Sequence, residues 1–230
     1  MIREHRFPTR DEAANALATV VAEQLRDRLD GRRAASLVVS GGATPVPFFR
    51  SLRRQALAWD RVTVTLADER WVPPTHPESN EGLVRSDLLV EEASRARFVG
   101  LNPAGATPEE AAEAAEPEIR SLRPFDCVVL GMGLDGHTAS LFPGAPGIEG
   151  GLERNSRRTC VATDPPTASR LRLTLTAEAL LSGRFLALHL TGDDKRATLE
   201  RALAPGPVEE MPVRSILRWS SAGVDVFWAP

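Results

Sequence analysis

The chain has 230 residues, 42% hydrophobic and 26% charged, with 17 Gly and 18 Pro; this excludes collagen-like, coiled-coil and wholly disordered chains and suits one large globular domain. Its 28 basic and 31 acidic residues leave a formal charge of −3 with no block of like sign, so nucleic acid and anionic membranes, which demand a basic face, are not expected partners. No apolar run approaches the roughly 18 residues of a membrane span, the amino-terminal stretch is charged and amphipathic, and Cys127 and Cys160 match no metal or disulfide pattern; a cytoplasmic protein is expected. Lys195 is the sole lysine and tyrosine is absent.

Leu17, Val20, Val21, Leu25 and Leu29 recur at helical spacing, which predicts an amphipathic helix over 11–30 ending at Gly31. Ser36–Val39 is a short apolar run that stops at Ser40-Gly41-Gly42 and reads as a buried strand entering a glycine turn. Thr44 suits an N-cap with Pro45 at the first helical position, opening a helix to about Gln55. The β-branched run Val62–Leu66 predicts a strand, followed by Ala67-Asp68-Glu69-Arg70-Trp71 and a Pro-rich loop. A helix is expected over 80–91, a short strand at 97–100, and an Ala/Glu-rich helix over 108–122 that Pro117 should kink or interrupt. Residues 125–130 form the clearest buried strand, and 143–158, rich in Gly, Pro and Arg, reads as a loop. Strands at 171–175, 185–190 and 224–228 follow, with helices over 177–182 and from Asp193. This alternation favours one α/β domain spanning 1–230, with a mostly parallel sheet flanked by helices.

Ligands of open parallel sheets bind beyond the carboxyl ends of the strands, and three polar segments fall there. Ser40-Gly41-Gly42 lets backbone N–H groups turn toward an anion such as phosphate, although Gly-Gly alone equally marks an ordinary turn. It lacks both the Gly-Lys-Ser/Thr ending of a P-loop and the third glycine of a dinucleotide fingerprint. His137 follows Gly131, Gly133 and Gly136 on a thin loop and suits proton transfer near neutral pH. Asp68 is placed to orient or polarise a histidine and Arg70 to fork onto phosphate or carboxylate, while a plain pairing of the two, or a cap on the following turn, is the structural alternative. His5, His76 and His189 fit satisfied structural positions better, with His76 also placed for the rim of a site. No spacing among Asp68, Asp135 and His137 is diagnostic of a metal.

These segments resemble the 6-phosphogluconolactonase family. The match is carried by Ser40-Gly-Gly-Ala-Thr-Pro45, by Asp68-Glu-Arg-Trp-Val-Pro73 with His76, Ser79 and Asn80, and by the thirteen residues Gly131–Pro143. Weaker matches are Arg170–Thr176 and Gly192-Asp-Asp-Lys195. The resemblance implies a Rossmann-like, sugar-phosphate isomerase-like domain that hydrolyses 6-phospho-D-glucono-1,5-lactone to 6-phospho-D-gluconate without cofactor or metal. It implies His137 as general base activating water and Asp68 as its assistant. It implies Ser40, Gly41, Gly42, Thr44, Arg70, Arg170 and Lys195 as holders of phosphate and hydroxyls. Ala43 replaces the family's usual serine, at an expected cost of about 1 kcal/mol for one hydrogen bond. The expected partner is a phosphorylated sugar lactone, with the chain a monomer or small homo-oligomer. The alternatives are an amino-sugar phosphate isomerase-deaminase, disfavoured because Phe142 stands where those enzymes carry a glutamate, and a non-catalytic sugar-phosphate sensor.

Overall fold

The computed structural model describes residues 1–31, 34–102, 107–166 and 170–230. The chain opens with strand β1 (Ile2–Arg6), helix α1 (Arg10–Gly31) and strand β2 (Ala35–Val39). There follow α2 (Val46–Leu52), β3 (Val62–Leu66), β4 (Asp68–Arg70), α3 (Asn80–Asp87), β5 (Arg97–Val99) and α4 (Pro108–Ser121). The second half contains β6 (Cys127–Leu130), α5 (Ile148–Leu152), β7 (Cys160–Thr163), β8 (Arg172–Leu175), α6 (Ala177–Leu181), β9 (Phe185–Thr191), α7 (Asp193–Leu203), α8 (Val213–Trp219) and β10 (Val224–Ala229). Among the described residues, no helix is long and apolar enough to cross a membrane.

Seven strands pair in the order β1-β10-β9-β6-β2-β3-β5, and every pairing is parallel. The central strands β2, β3 and β6 are buried along their whole length, as apolar runs covered by helices on both faces must be. From β2 the chain moves outward through β3 to β5, then returns to place β6 on the other side of β2. The crevice between β2 and β6 is therefore the topological switch point, where open α/β sheets bind ligands. The expected α/β domain with a mostly parallel sheet is what the chain forms.

A second sheet, β4-β8-β7, is antiparallel throughout. It grows from the end of β3: the Ala67 amide donates to Val39 O at 2.8 Å, and the Leu175 amide donates to Ala67 O at 2.8 Å. One residue thus ends the parallel ladder and begins the antiparallel one, which places β4 and β8 at the carboxyl end of β2.

Several local expectations are corrected. Thr44 does not cap α2, which begins two residues later with Pro45 at its N-cap and no side-chain cap bond. The segment 143–158 contains α5, whose Ile148 and Leu152 pack in a small satellite core with Leu141 and Ala177. Pro117 lies inside α4 without ending it. The preceding Glu116 is tied to the Thr159 and Cys160 amides at 2.8–2.9 Å, so tertiary contacts hold the helix past the proline. β1, β7 and α8 were not expected; β1 is a polar edge strand recognisable only by its pairing with β10.

Candidate active site

A cavity of about 250 Å³ opens at the switch point. Its walls are the loops after β2, β6 and β9, the outward face of β4 and β8, and the side chain of Lys195 near the start of α7. Ser40, Gly41, Gly42, Thr44, Asp68, Arg70, His137 and Lys195, all expected at a site, line this one cavity; Arg170 does not.

The loop after β6 is shaped by positions with positive φ at Gly136 (83°) and Ala139 (48°), backbone angles that cost a residue with a Cβ free energy. The Gly133 amide donates to His137 O at 2.8 Å, closing the loop on itself. Asp135 Oδ1 takes the His137 backbone amide at 3.0 Å and lies 2.6 Å from His137 Nδ1. Partial burial pushes the Asp135 carboxyl up, but its bonds to His137 outweigh this and hold it below the usual carboxylate range. An ionised Asp135 assigns the ring proton to Nδ1, leaving Nε2 of the neutral imidazole as an acceptor. Phe142 stacks on the ring with centroids 4.0 Å apart. A Cβ at Gly133 would fall 2.1 Å from His137 Nδ1, so only glycine leaves room for the ring. Asp68 is not the hydrogen-bond partner of the imidazole: its Oδ2 accepts from Ser140 Oγ at 2.6 Å.

The small sheet supplies charge. Its register pairs Asp68 with Thr174 and Arg70 with Arg172, and residues directly opposite in an antiparallel pair point to the same face. Arg172, absent from the sequence expectation, therefore stands beside Arg70 in the cavity wall. Its Nε is buried without a partner among the described residues, and burial followed by repulsion from Arg70 lowers its pKa. Two arginines side by side in a desolvated wall are poised for an anion. Arg170 lies beyond the end of this pairing, where it bonds Glu78 and approaches His76 Nε2 at 3.2 Å. Arg172, two residues further along the same strand direction, lines the cavity that Arg170 does not. His76, expected at the rim, lies beside Arg170 and Glu78 and does not line the cavity.

Lys195 Nζ donates to Met132 O at 2.7 Å; burial lowers its pKa, and the Asp135 charge opposes the shift. On the opposite wall Gly42 has φ 89°, and Ser40 Oγ is buried with no partner among the described residues. His189 also lines the cavity but is not the satisfied histidine expected of a strand position. Both its ring nitrogens are buried without partners among the described residues, and burial pushes its pKa down to about 4. Among the described residues, no group of three or more His, Cys, Asp or Glu side chains is placed to hold a metal ion.

Three side chains that line the cavity or hold its groups are not named from sequence as site members: Asp135, Arg172 and Asn80. Asp135 had a signal, its position two residues before His137 in a tight glycine loop. Arg172 had only its alternation with Leu171 and Leu173, which becomes meaningful once the partner strand is known.

Residues 8–228 match the family described as glucosamine-6-phosphate isomerases/6-phosphogluconolactonase. A 6-phosphogluconolactonase of Pseudomonas putida is 43% identical over 229 residues, covering 100% of this chain and 93% of that protein. One from Rhizobium meliloti is 44% identical over 227 residues, covering 98% of each. The crystal structure of a 6-phosphogluconolactonase from Shewanella baltica superposes with a TM-score of 0.94 at 42% identity, covering 100% of this chain and 98% of that one. A monomeric glucosamine-6-phosphate deaminase shares the fold, with a TM-score of 0.81 at 20% identity. The chain belongs to the glucosamine-6-phosphate isomerase/6-phosphogluconolactonase family.

Proposed function

We propose that this chain hydrolyses 6-phospho-D-glucono-1,5-lactone to 6-phospho-D-gluconate, with His137 as general base. The observation that carries the proposal is the Asp135–His137 pair, 2.6 Å apart, with His137 lining a cavity that Arg70, Arg172 and Lys195 also line. A δ-lactone is an activated ester, so it needs a base and an oxyanion site but no covalent nucleophile. His137 Nε2 takes a proton from water as the water attacks C1. Asp135 stabilises the imidazolium through Nδ1, and N–H groups of the glycine loops receive the oxyanion. The imidazolium then returns its proton to the leaving ring oxygen. Asp68 shares the cavity, and its negative charge assists by favouring the imidazolium. Arg70, Arg172, Lys195 and the loop Ser40, Gly41, Gly42 and Thr44 hold the phosphate and sugar hydroxyls.

The isomerase-deaminase alternative asks for a proton-carrying side chain where Phe142 stacks on the imidazole, and a phenyl ring moves no proton. The test follows lactone disappearance at neutral pH, with spontaneous hydrolysis subtracted. A positioned general base is worth about 10²–10⁴ in rate, so His137→Ala is expected to lower kcat/KM by that factor. Wild-type kcat/KM in His137→Ala would overturn the assignment of the base.

A further inference from the structure

Glu69 sits between two cavity-lining residues and faces away from both. Side chains alternate along β4, so Asp68 and Arg70 share the cavity face while Glu69 enters the opposite side, where it is 1% exposed. There its carboxylate accepts four hydrogen bonds. Oε1 takes the amides of Arg70 at 2.7 Å and Asn80 at 2.8 Å. Oε2 takes the Ser79 hydroxyl at 3.0 Å and the Glu81 amide at 2.7 Å. Three of these four donors belong to the start of α3, whose first N–H groups have no partner inside the helix.

That helix start reaches back into the site. Asn80, itself 2% exposed, donates from Nδ2 to Asp68 O at 2.8 Å and accepts at Oδ1 from Arg70 Nη1 at 2.6 Å. Arg70 Nη1 donates also to Glu78 O at 2.8 Å. A Cβ on Gly41 would lie 1.8 Å from Asn80 Oδ1, so the glycine loop rests directly on the same amide. A simple helix cap would need neither the bond to Arg70 nor the contact with Gly41.

We infer that Glu69 and Asn80 are positioning residues: Glu69 anchors the turn 78–81, and Asn80 transmits that anchor to the Arg70 guanidinium and the glycine loop. Arg70 is a long side chain with many rotamers, and tying it down before the substrate arrives removes an ordering cost from binding. The inference rests on reading the cavity as a sugar-phosphate site, and it predicts an effect on substrate capture more than on the chemical step.

The experiment measures 6-phosphogluconate binding by calorimetry, lactonase KM and kcat, and thermal unfolding, for Glu69→Gln and Asn80→Ala, each alone and combined with Arg70→Met. Glu69→Gln keeps the side chain's shape but turns one acceptor into a donor that meets N–H groups. Each single variant is expected to raise Kd and KM about tenfold with kcat within about threefold. In the Arg70→Met background the same substitutions are expected to add little, because their target is already gone. Unchanged Kd and KM in a protein of lowered Tm would make Glu69 a cap for α3 and overturn the inference. Losses that multiply across Arg70→Met would overturn it as well. If Glu69→Gln fails to fold, Asn80→Ala decides the matter by the same measurements. A wild type that neither binds 6-phosphogluconate nor hydrolyses the lactone defeats the sugar-phosphate reading and this inference together. A wild type that does both, with variants unaffected, defeats the inference alone.

Discussion

The two sheets contribute to the cavity in different ways. The parallel sheet ends in loops, and what those loops present is a backbone shape: glycine turns after β2 and β6, and an imidazole clamped by a carboxylate two residues away. The antiparallel sheet presents a face, on which the pairing of β4 with β8 sets Asp68, Arg70 and Arg172 side by side. Local chain geometry therefore builds the imidazole–carboxylate pair, and cross-strand register builds the charged wall. A loop tolerates change wherever its φ angles permit, whereas one residue of slip of β8 against β4 would turn Arg172 away from the cavity face that Asp68 and Arg70 share.

Asp135→Asn probes the loop half of that contrast. It retains the size of the side chain but loses the charge that assigns the Nδ1 proton and stabilises the imidazolium. We expect kcat to fall about 100-fold with KM little changed, measured by the lactone assay. A fall of less than threefold would mean the imidazole needs no carboxylate, and the role proposed for Asp135 would fall.

Arg172→Met set against Arg170→Met probes the face. A desolvated arginine beside a bound phosphate is worth about 1.5–3 kcal/mol, so Arg172→Met should raise KM roughly 10–100-fold. Arg170, exposed and paired with Glu78, should change KM by no more than about twofold, as surface pairs do. The reverse ranking would show that register does not decide which arginine meets the ligand.

His189 sharpens the contrast from the buried side, since β9 presents it to the cavity with no hydrogen-bond partner among the described residues. Its folded-state pKa of about 4 lies below the ordinary 6.5, so the unfolded chain takes up the proton first. This contribution is fully present above about pH 6.5 and is lost as the pH falls toward 4. Between about pH 7 and 5 it amounts to about 2 kcal/mol. Denaturant unfolding at the two pH values should show that drop in wild type and a smaller one, by about that amount, in His189→Leu. Equal drops in the two proteins would place the acid-labile group elsewhere.

Elements whose burial follows a periodic pattern were legible from sequence. α1 runs from Arg10 to Gly31 against an expected 11–30, and β3 covers the expected Val62–Leu66. The misses have a common cause. β1 is polar because it is an edge strand, α5 is five residues long, and Pro45 displaced Thr44 from its capping place. In each, a neighbour distant in sequence or a single backbone angle outweighed the local signal. The site divides along the same line: His137 and the glycine loop were named from their own segment, while Arg172 and Asn80 owe their places to partners elsewhere in the chain.

By itself the sequence determined where the chain turns and what each turn carries: glycines at 41, 42, 133 and 136, hydroxyls beside them, and His137 among them. Those are local properties, written in a few adjacent residues and their allowed φ angles. Only the tertiary structure decided which groups work together: Asp135 with His137, Asp68 with Ser140, Arg172 with Arg70, and Glu69 with the start of α3. Apart from the Asp135 pair, these partnerships join residues about ten to a hundred positions apart, and they follow from strand register and helix docking, which no single segment encodes.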